Sequence, residues 1–196
     1  LWATDCAVIL VDAANGVEIG TDKAWGFAEA YGRPVLFYVN HMDKEFASFD
    51  GVLEGLREHY GLGVVPFQLP VNQGTGFNQI ADVLSGKLLT YPADGSGKPE
   101  QADLPEEMQA QVEALREQIV EAAAESDDEL TEKYLEDGEL SDEDLARGLG
   151  TGILNRTLFP VLCGDASRNI GTAQLLDFIV RQMPSPAQMP PKPTYK

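Results

Sequence analysis

Val35-Leu-Phe-Tyr-Val-Asn-His-Met-Asp43 runs five apolar or aromatic residues together and then turns abruptly polar. An unbroken run of this kind suits a strand covered on both faces, as the strands of parallel sheets are. Upstream, Cys6-Ala-Val-Ile-Leu-Val-Asp12 has the same character, and Asn15-Gly16 turns the chain after it. Between the two runs, Trp25, Ala28 and Tyr31 recur at helical spacing over 21–31, Gly32 supplies a left-handed residue to end the helix, and Pro34 stops it. Downstream, Phe49, Val52, Leu53, Leu56 and Tyr60 mark a second helix, closed by Gly61. Strand, helix, strand, helix predicts an α/β domain with a parallel sheet.

That alternation resumes only at Leu158-Phe-Pro-Val-Leu-Cys163, followed by a polar turn and a helix carrying Leu175, Leu176, Ile179, Val180 and Met183. The stretch between has a different character. Val64-Val-Pro-Phe-Gln-Leu-Pro70, the glycine turn at Gly74-Thr-Gly76 and the apolar mixture from Phe77 to Tyr91 predict a small sheet, with a loop over 93–101. Met108, Val112, Leu115, Ile119 and Ala122 then hold a three-four spacing behind Pro105, which predicts a helix. Ser126-x-x-Glu129 and Ser141-x-x-Asp144 have capping-box spacing and predict two short helices. The architecture expected is an α/β domain of 1–62 and 157–186, an acidic α+β insert of 63–156, and a proline-rich linker or tail of 187–196.

Charge separates the same parts. The net charge is −18 over 196 residues, and Glu100 to Gly150 holds 18 acidic against 3 basic residues. Such a surface repels nucleic-acid backbones and anionic membranes, so no independent nucleic-acid binding is expected; a solvated helical face or a basic protein partner suits it. No apolar run reaches the length of a membrane span, and the first residues carry no basic export signal. Cys6 and Cys163 sit apart in apolar runs without metal-ligand spacing, and read as buried thiols of a reducing compartment, the cytoplasm.

Ligands of open parallel sheets bind beyond the carboxyl ends of the strands. Two loops hold that position: Asn40-His-Met-Asp43, and Gly164-Asp-Ala-Ser167. A carboxylate such as Asp43 accepts two adjacent hydrogen bonds, which guanine offers on its N1 and N2 edge and adenine does not. Asn40 can donate to the other edge of the base while tying the loops together, and the Ala166 N–H can donate to guanine O6. Each of these residue types also serves in ordinary turns and caps. No nucleophile elbow or paired Cys and His arrangement appears, and His41 and His59 lack metal-ligand companions, so an α/β enzyme working through carboxylates or Cys163 has little support.

Taken in order, these motifs resemble the G domain of elongation factor G and its relatives over nearly the full length. Asp12-Ala-Ala-Asn-Gly-Val-Glu18 resembles the family's strand and turn after switch II, and Val39-Asn-His-Met-Asp43 its NKxD guanine motif. Leu162-Cys-Gly-Asp-Ala-Ser-Arg-Asn-Ile-Gly171 is similar to its second guanine loop, and Leu175-Leu-Asp-Phe-Ile with Met183-Pro-Ser-Pro186 to its last helix and exit. Val65-Pro-Phe-Gln-Leu-Pro70 and Glu129-Leu-Thr-Glu-Lys-Tyr-Leu-Glu136 resemble the G-prime insert specific to this group. The resemblance implies a P-loop-GTPase-type parallel sheet interrupted by an α+β insert, with GTP or GDP bound through Asn40, His41, Asp43, Asp165, Ala166 and Ser167. It also implies a role in ribosomal translocation, the ribosome as partner, and large-subunit stalk proteins at the acidic insert.

Two positions depart from the pattern. His41 stands where the family has Lys, and Asp165 where it has Ser, which adds a charge expected to lie near Asp43 and the nucleotide. No GxxxxGK[ST] loop occurs in the 196 residues. The resemblance therefore predicts a fragment carrying the guanine-recognition loops, with phosphate and magnesium held by segments that precede them in the family. Phosphoryl transfer needs that loop, its lysine and magnesium, so the chain alone is not expected to hydrolyse GTP. A charged contact of about 1.5–3 kcal/mol and stacking of about 1–3 barely meet an association cost of about 4–15, which predicts millimolar base affinity or weaker. The alternative is a factor-like ribosome-interaction protein with weakened or lost hydrolysis, and a specialised paralogue such as a release or tetracycline-protection factor shares the same G domain.

Overall fold

The computed structural model describes residues 3–189, so the tail expected over 187–196 lies mostly outside them. Among the described residues, β1 (Ala7–Asp12), β2 (Val35–Asn40), β3 (Val64–Pro66) and β8 (Phe159–Cys163) form one parallel sheet in the order β1-β2-β8-β3. Helix α1 (Ile19–Ala30) joins β1 to β2, α2 (Phe49–Tyr60) joins β2 to β3, and α6 (Thr172–Gln182) follows β8. Every residue from Val35 to Val39 and from Phe159 to Cys163 is buried, as continuous apolar runs require. Trp25 from α1 stacks on Tyr60 from α2 at 4.4 Å and meets Phe159 edge-on at 4.8 Å; Phe37 of β2 stacks on Tyr60 at 5.5 Å. This aromatic set locks both helices to one face of the sheet, each pair adding about 0.5–1.5 kcal/mol beyond its buried area.

The insert lies in sequence between β3 and β8, and its buried residues belong to one apolar core with those of the parallel sheet. Strands β4 (Gln68–Pro70), β5 (Gln79–Asp82), β6 (Lys87–Thr90) and β7 (Glu100–Asp103) make an antiparallel meander. Helices α3 (Glu106–Ala124), α4 (Asp128–Asp137) and α5 (Asp142–Leu154) follow, with Val112, Ile119, Leu130, Leu149 and Ile153 buried among them.

Several local expectations are corrected. Val64–Pro66, grouped from the sequence with the small sheet, pairs with β8 instead, so the parallel sheet reaches past residue 63. Glu100–Asp103 falls partly in the predicted loop yet forms the outer strand of the meander; all four residues are exposed, so no apolar alternation marked it. Lys87 and Asp103 face each other there at 2.8 Å. Ser141 caps α5 by accepting from Asp144 N–H at 3.1 Å, but α4 is capped by Asp127. Ser126 instead donates to the Ala123 and Gly148 carbonyls, tying α3 to α5. On α6, Leu176 and Val180 are exposed, and the inward face is Leu175, Phe178, Ile179 and Met183.

Outside this core, Leu10 of β1 and Ile19 and Phe27 of α1 are 60% exposed or more. Among the described residues, β1 pairs on one side only. No helix there is long and apolar enough to cross a membrane.

The α3–α5 crossing depends on Gly148, where a Cβ would lie 2.5 Å from the Ala123 carbonyl oxygen. Gly148→Ala gains about 1 kcal/mol of helix propensity but forces backbones apart at an overpacking cost of about 1–3 kcal/mol. The variant is expected to be the less stable protein in urea titrations followed by circular dichroism.

Candidate functional site

The β2–β8 register pairs Val39 with Cys163, so both following loops leave the sheet at one level and on one edge. Gly164 N–H donates to the Val39 carbonyl at 2.9 Å, and Met42 N–H to the Gly164 carbonyl at 3.3 Å. Asn40, the last residue of β2, accepts from the Ala166 N–H through Oδ1 at 3.0 Å. Two residues earlier on the same face, Tyr38 donates its hydroxyl to the Ile170 carbonyl at 3.1 Å. One strand therefore grips the second loop near both ends. Gly164 is required beneath it, since a Cβ there would run into Tyr38 Oη and the Ile170 carbonyl.

Asp43 is half-buried in the first loop, and no hydrogen bond or ion pair engages its carboxylate among the described residues. Its oxygens are not among the buried, unsatisfied ones of the described residues, so both stay open to solvent or to the donors of a ligand. His41 adopts a left-handed backbone with φ of 62° and turns its Nδ1 to Asp12 Oδ2 at 2.8 Å. Lys44 reaches the same oxygen at 2.7 Å, and Asp12 Oδ1 accepts from the Ala14 N–H at 3.0 Å. Burial opposes ionisation of Asp12, but donation from Lys44, His41 and Ala14 outweighs it and holds the carboxyl well below the usual carboxylate range.

Asp165, expected to add a charge near Asp43 and the nucleotide, turns its side chain into the second loop. It is fully buried, and its Oδ1 caps a short 3₁₀ turn, Ala166–Arg168, by accepting from the Ser167 N–H at 3.0 Å and hydroxyl at 2.6 Å. Its Oδ2 has no hydrogen-bond partner among the described residues. Its backbone pairs with Ile170 in both directions, closing the loop on itself. Ser167 is thereby committed to Asp165, while Ala166 stays exposed with its N–H held by Asn40.

The sequence predicts that Asn40 ties the two loops together, and its Oδ1 does accept from the Ala166 N–H. The sequence assigns no role to Asp12, Lys44 or Tyr38. Asp12 ends a parallel strand, which is where the other candidates were found; Tyr38 lay inside an apolar run and carried no signal beyond its hydroxyl. Cys163 is buried within β8, which pushes its thiol well up and leaves it inert.

Residues 1–185 match the model for the elongation factor Tu GTP-binding domain. The chain belongs to that family. It is 36% identical to elongation factor G of Mycoplasma pneumoniae over 195 residues, a match that takes in 100% of this chain and 28% of that protein. A crystal structure of a protein from Thermus thermophilus superposes with a TM-score of 0.87 at 33% identity, covering 95% of this chain and 28% of that one. This chain thus spans 28% of the length of each of these relatives. The fold is that of an elongation-factor GTP-binding domain carrying an insert, with its parallel and antiparallel sheets separate.

Asp12 titrates far below its unfolded value of about 3.9, so its cluster contributes stability that is present above that pH and lost as pH falls below it. In a carbon-13 carboxyl titration, Lys44→Ala and His41→Ala are each expected to raise the Asp12 midpoint toward the ordinary value.

Proposed function

We propose that this chain is the guanine-reading half of a translational GTPase like elongation factor G, with Asp43, Asn40 and Ala166 as its base contacts. The observation that supports this reading is the open Asp43 carboxylate, without a partner among the described residues, on one of two loops locked together by Asn40 and Ala166. The residues present suit guanine: Asp43 offers two acceptor oxygens to N1 and N2, and the Ala166 N–H can turn from Asn40 Oδ1 to O6 or be shared. His41 and Lys44, which flank Asp43 in the first loop, are tied to Asp12, and Asp165 and Ser167 hold the second loop in shape. GTP and GDP present the same base and are read alike here. Phosphate and magnesium chemistry belongs to segments that precede these motifs in the family.

On this reading the whole protein is a cytoplasmic factor of ribosomal translocation, and its acidic insert meets the large-subunit stalk proteins. The G-domain part comprises 1–62 and 157–186 together with β3, and the insert fills the interval between. A second reading, a ribosome-interaction protein with weakened or lost hydrolysis, draws on two commitments. His41 is turned to Asp12, and the Ala166 donor is already engaged.

Calorimetric titration of the chain, with any residues that precede Leu1 in its gene, against GTP, GDP and ATP separates the readings. Micromolar guanine binding without an ATP response is expected, and Asp43→Ala is expected to weaken GDP binding about 10–100-fold, the worth of a charged hydrogen-bond pair. A folded protein that binds no guanine nucleotide in magnesium would leave the second reading in place.

A further inference from the structure

Hydrogen bonds cross from the insert to both loops of the candidate site. Gly74 N–H donates to the Met42 carbonyl at 2.8 Å, and the neighbouring Gln73 side-chain carbonyl accepts from Phe49 N–H at 2.8 Å. Residues 73 and 74 therefore hold the segment that contains Asp43 at both of its ends. On the other side, Arg168 donates to the Phe77 carbonyl at 2.8 Å, and the Asn169 side-chain amide to the Gly95 carbonyl at 3.1 Å. Both donors lie directly beyond Ala166 and Ser167 in the second loop.

The insert loop that makes three of these bonds is itself braced. Asn72 Oδ1 accepts from the Asn78 and Gln79 N–H groups at 3.2 and 3.0 Å, while its Nδ2 donates to the Gly76 carbonyl at 2.9 Å. Phe77, whose carbonyl receives Arg168, is fully buried, so the acceptor is anchored in the core. The loop over 72–79 is thus a closed, fixed platform rather than a slack connection, and both base-reading loops lean on it.

We propose that Gln73, Arg168 and Asn169 are positioning residues for guanine recognition: through them the insert sets the placement of Asp43 and Ala166, coupling insert and base. The proposal rests on the guanine-reading assignment above. Coupling of this kind is reciprocal, so a nucleotide that tightens the base loops tightens residues 72–79, and a displacement of the insert loops loosens the nucleotide. Ordinary packing between two segments would lower stability when cut without moving the pocket.

The test combines amide hydrogen exchange and GDP binding in the full-length protein. Arg168→Ala is expected to speed exchange at the Ala166 N–H about 3–10-fold, the loss of one hydrogen bond, with exchange at Val39 in β2 unchanged. GDP affinity is expected to fall by a similar factor in Arg168→Ala and in Gln73→Ala, and to recover in Arg168→Lys, which keeps a donor. GDP is expected to slow exchange at the Gly74 N–H in the wild type. Equal GDP affinity in wild type and Arg168→Ala, with Ala166 exchange unaltered, overturns the coupling and leaves the base assignment standing. A wild type that binds no GDP overturns the base assignment and the coupling with it.

Discussion

Parallel pairing between β2 and β8 does more than extend a sheet. Because Val39 sits opposite Cys163, the strands end together, and their next residues meet as loop against loop. Strand periodicity then puts Tyr38 and Asn40 on one face, where each takes hold of the second loop, at Ile170 and at Ala166. A slip of one residue would turn both side chains to the opposite face and release the loop altogether. The bareness of Gly164 belongs to the same constraint, because the Tyr38 hydroxyl passes where a side chain would stand.

Electrostatics divides along similar lines. At the sheet edge, Asp12 gathers Lys44 and His41 and stays ionised, so local positive charge is neutralised beside an Asp43 that remains unengaged. In the insert, Lys133 and Arg147 each reach both Glu129 and Asp144. Those pairs are largely exposed, and exposed pairs add about 0–1 kcal/mol each. The helices of the insert are held by Val112, Ile119, Leu130, Leu149 and Ile153, which leaves most of their acidic surface free of structural duty.

The fold was legible wherever burial is written as periodicity. Continuous apolar runs marked β2 and β8, and three-four spacing marked α2 and α3, because those residues face a core. The run in β1 marked a strand too, but Val8 and Leu10 lie exposed on one of its faces instead of being covered on both. Glu100–Asp103 escaped notice because an exposed outer strand is held by backbone pairing, to which side chains contribute little pattern. Val64–Pro66 was assigned to the wrong sheet because partner choice is settled by β8, which lies far downstream. In the candidate site, Asn40, Asp43 and Ala166 are nominated by chemistry and strand order alone. The inward turn of Asp165 was not, since a residue type does not disclose which way a loop carboxylate points. Gln73 and Asn169 were invisible for a related reason: their partners are backbone groups of distant segments.

The place of β8 between β2 and β3 also bears on how the chain acquires its shape. During synthesis β2 and β3 emerge early, yet the strand that fits between them appears only after the entire insert has been made. Until then the central slot of the sheet stands vacant, and the interval costs loop-closure entropy before any pairing repays it. The meander of the insert pairs near neighbours in sequence, whereas β8 pairs with strands that precede the whole insert. Pairing of β8 with both β2 and β3 fills that slot, and it is the same pairing that brings the two loops together.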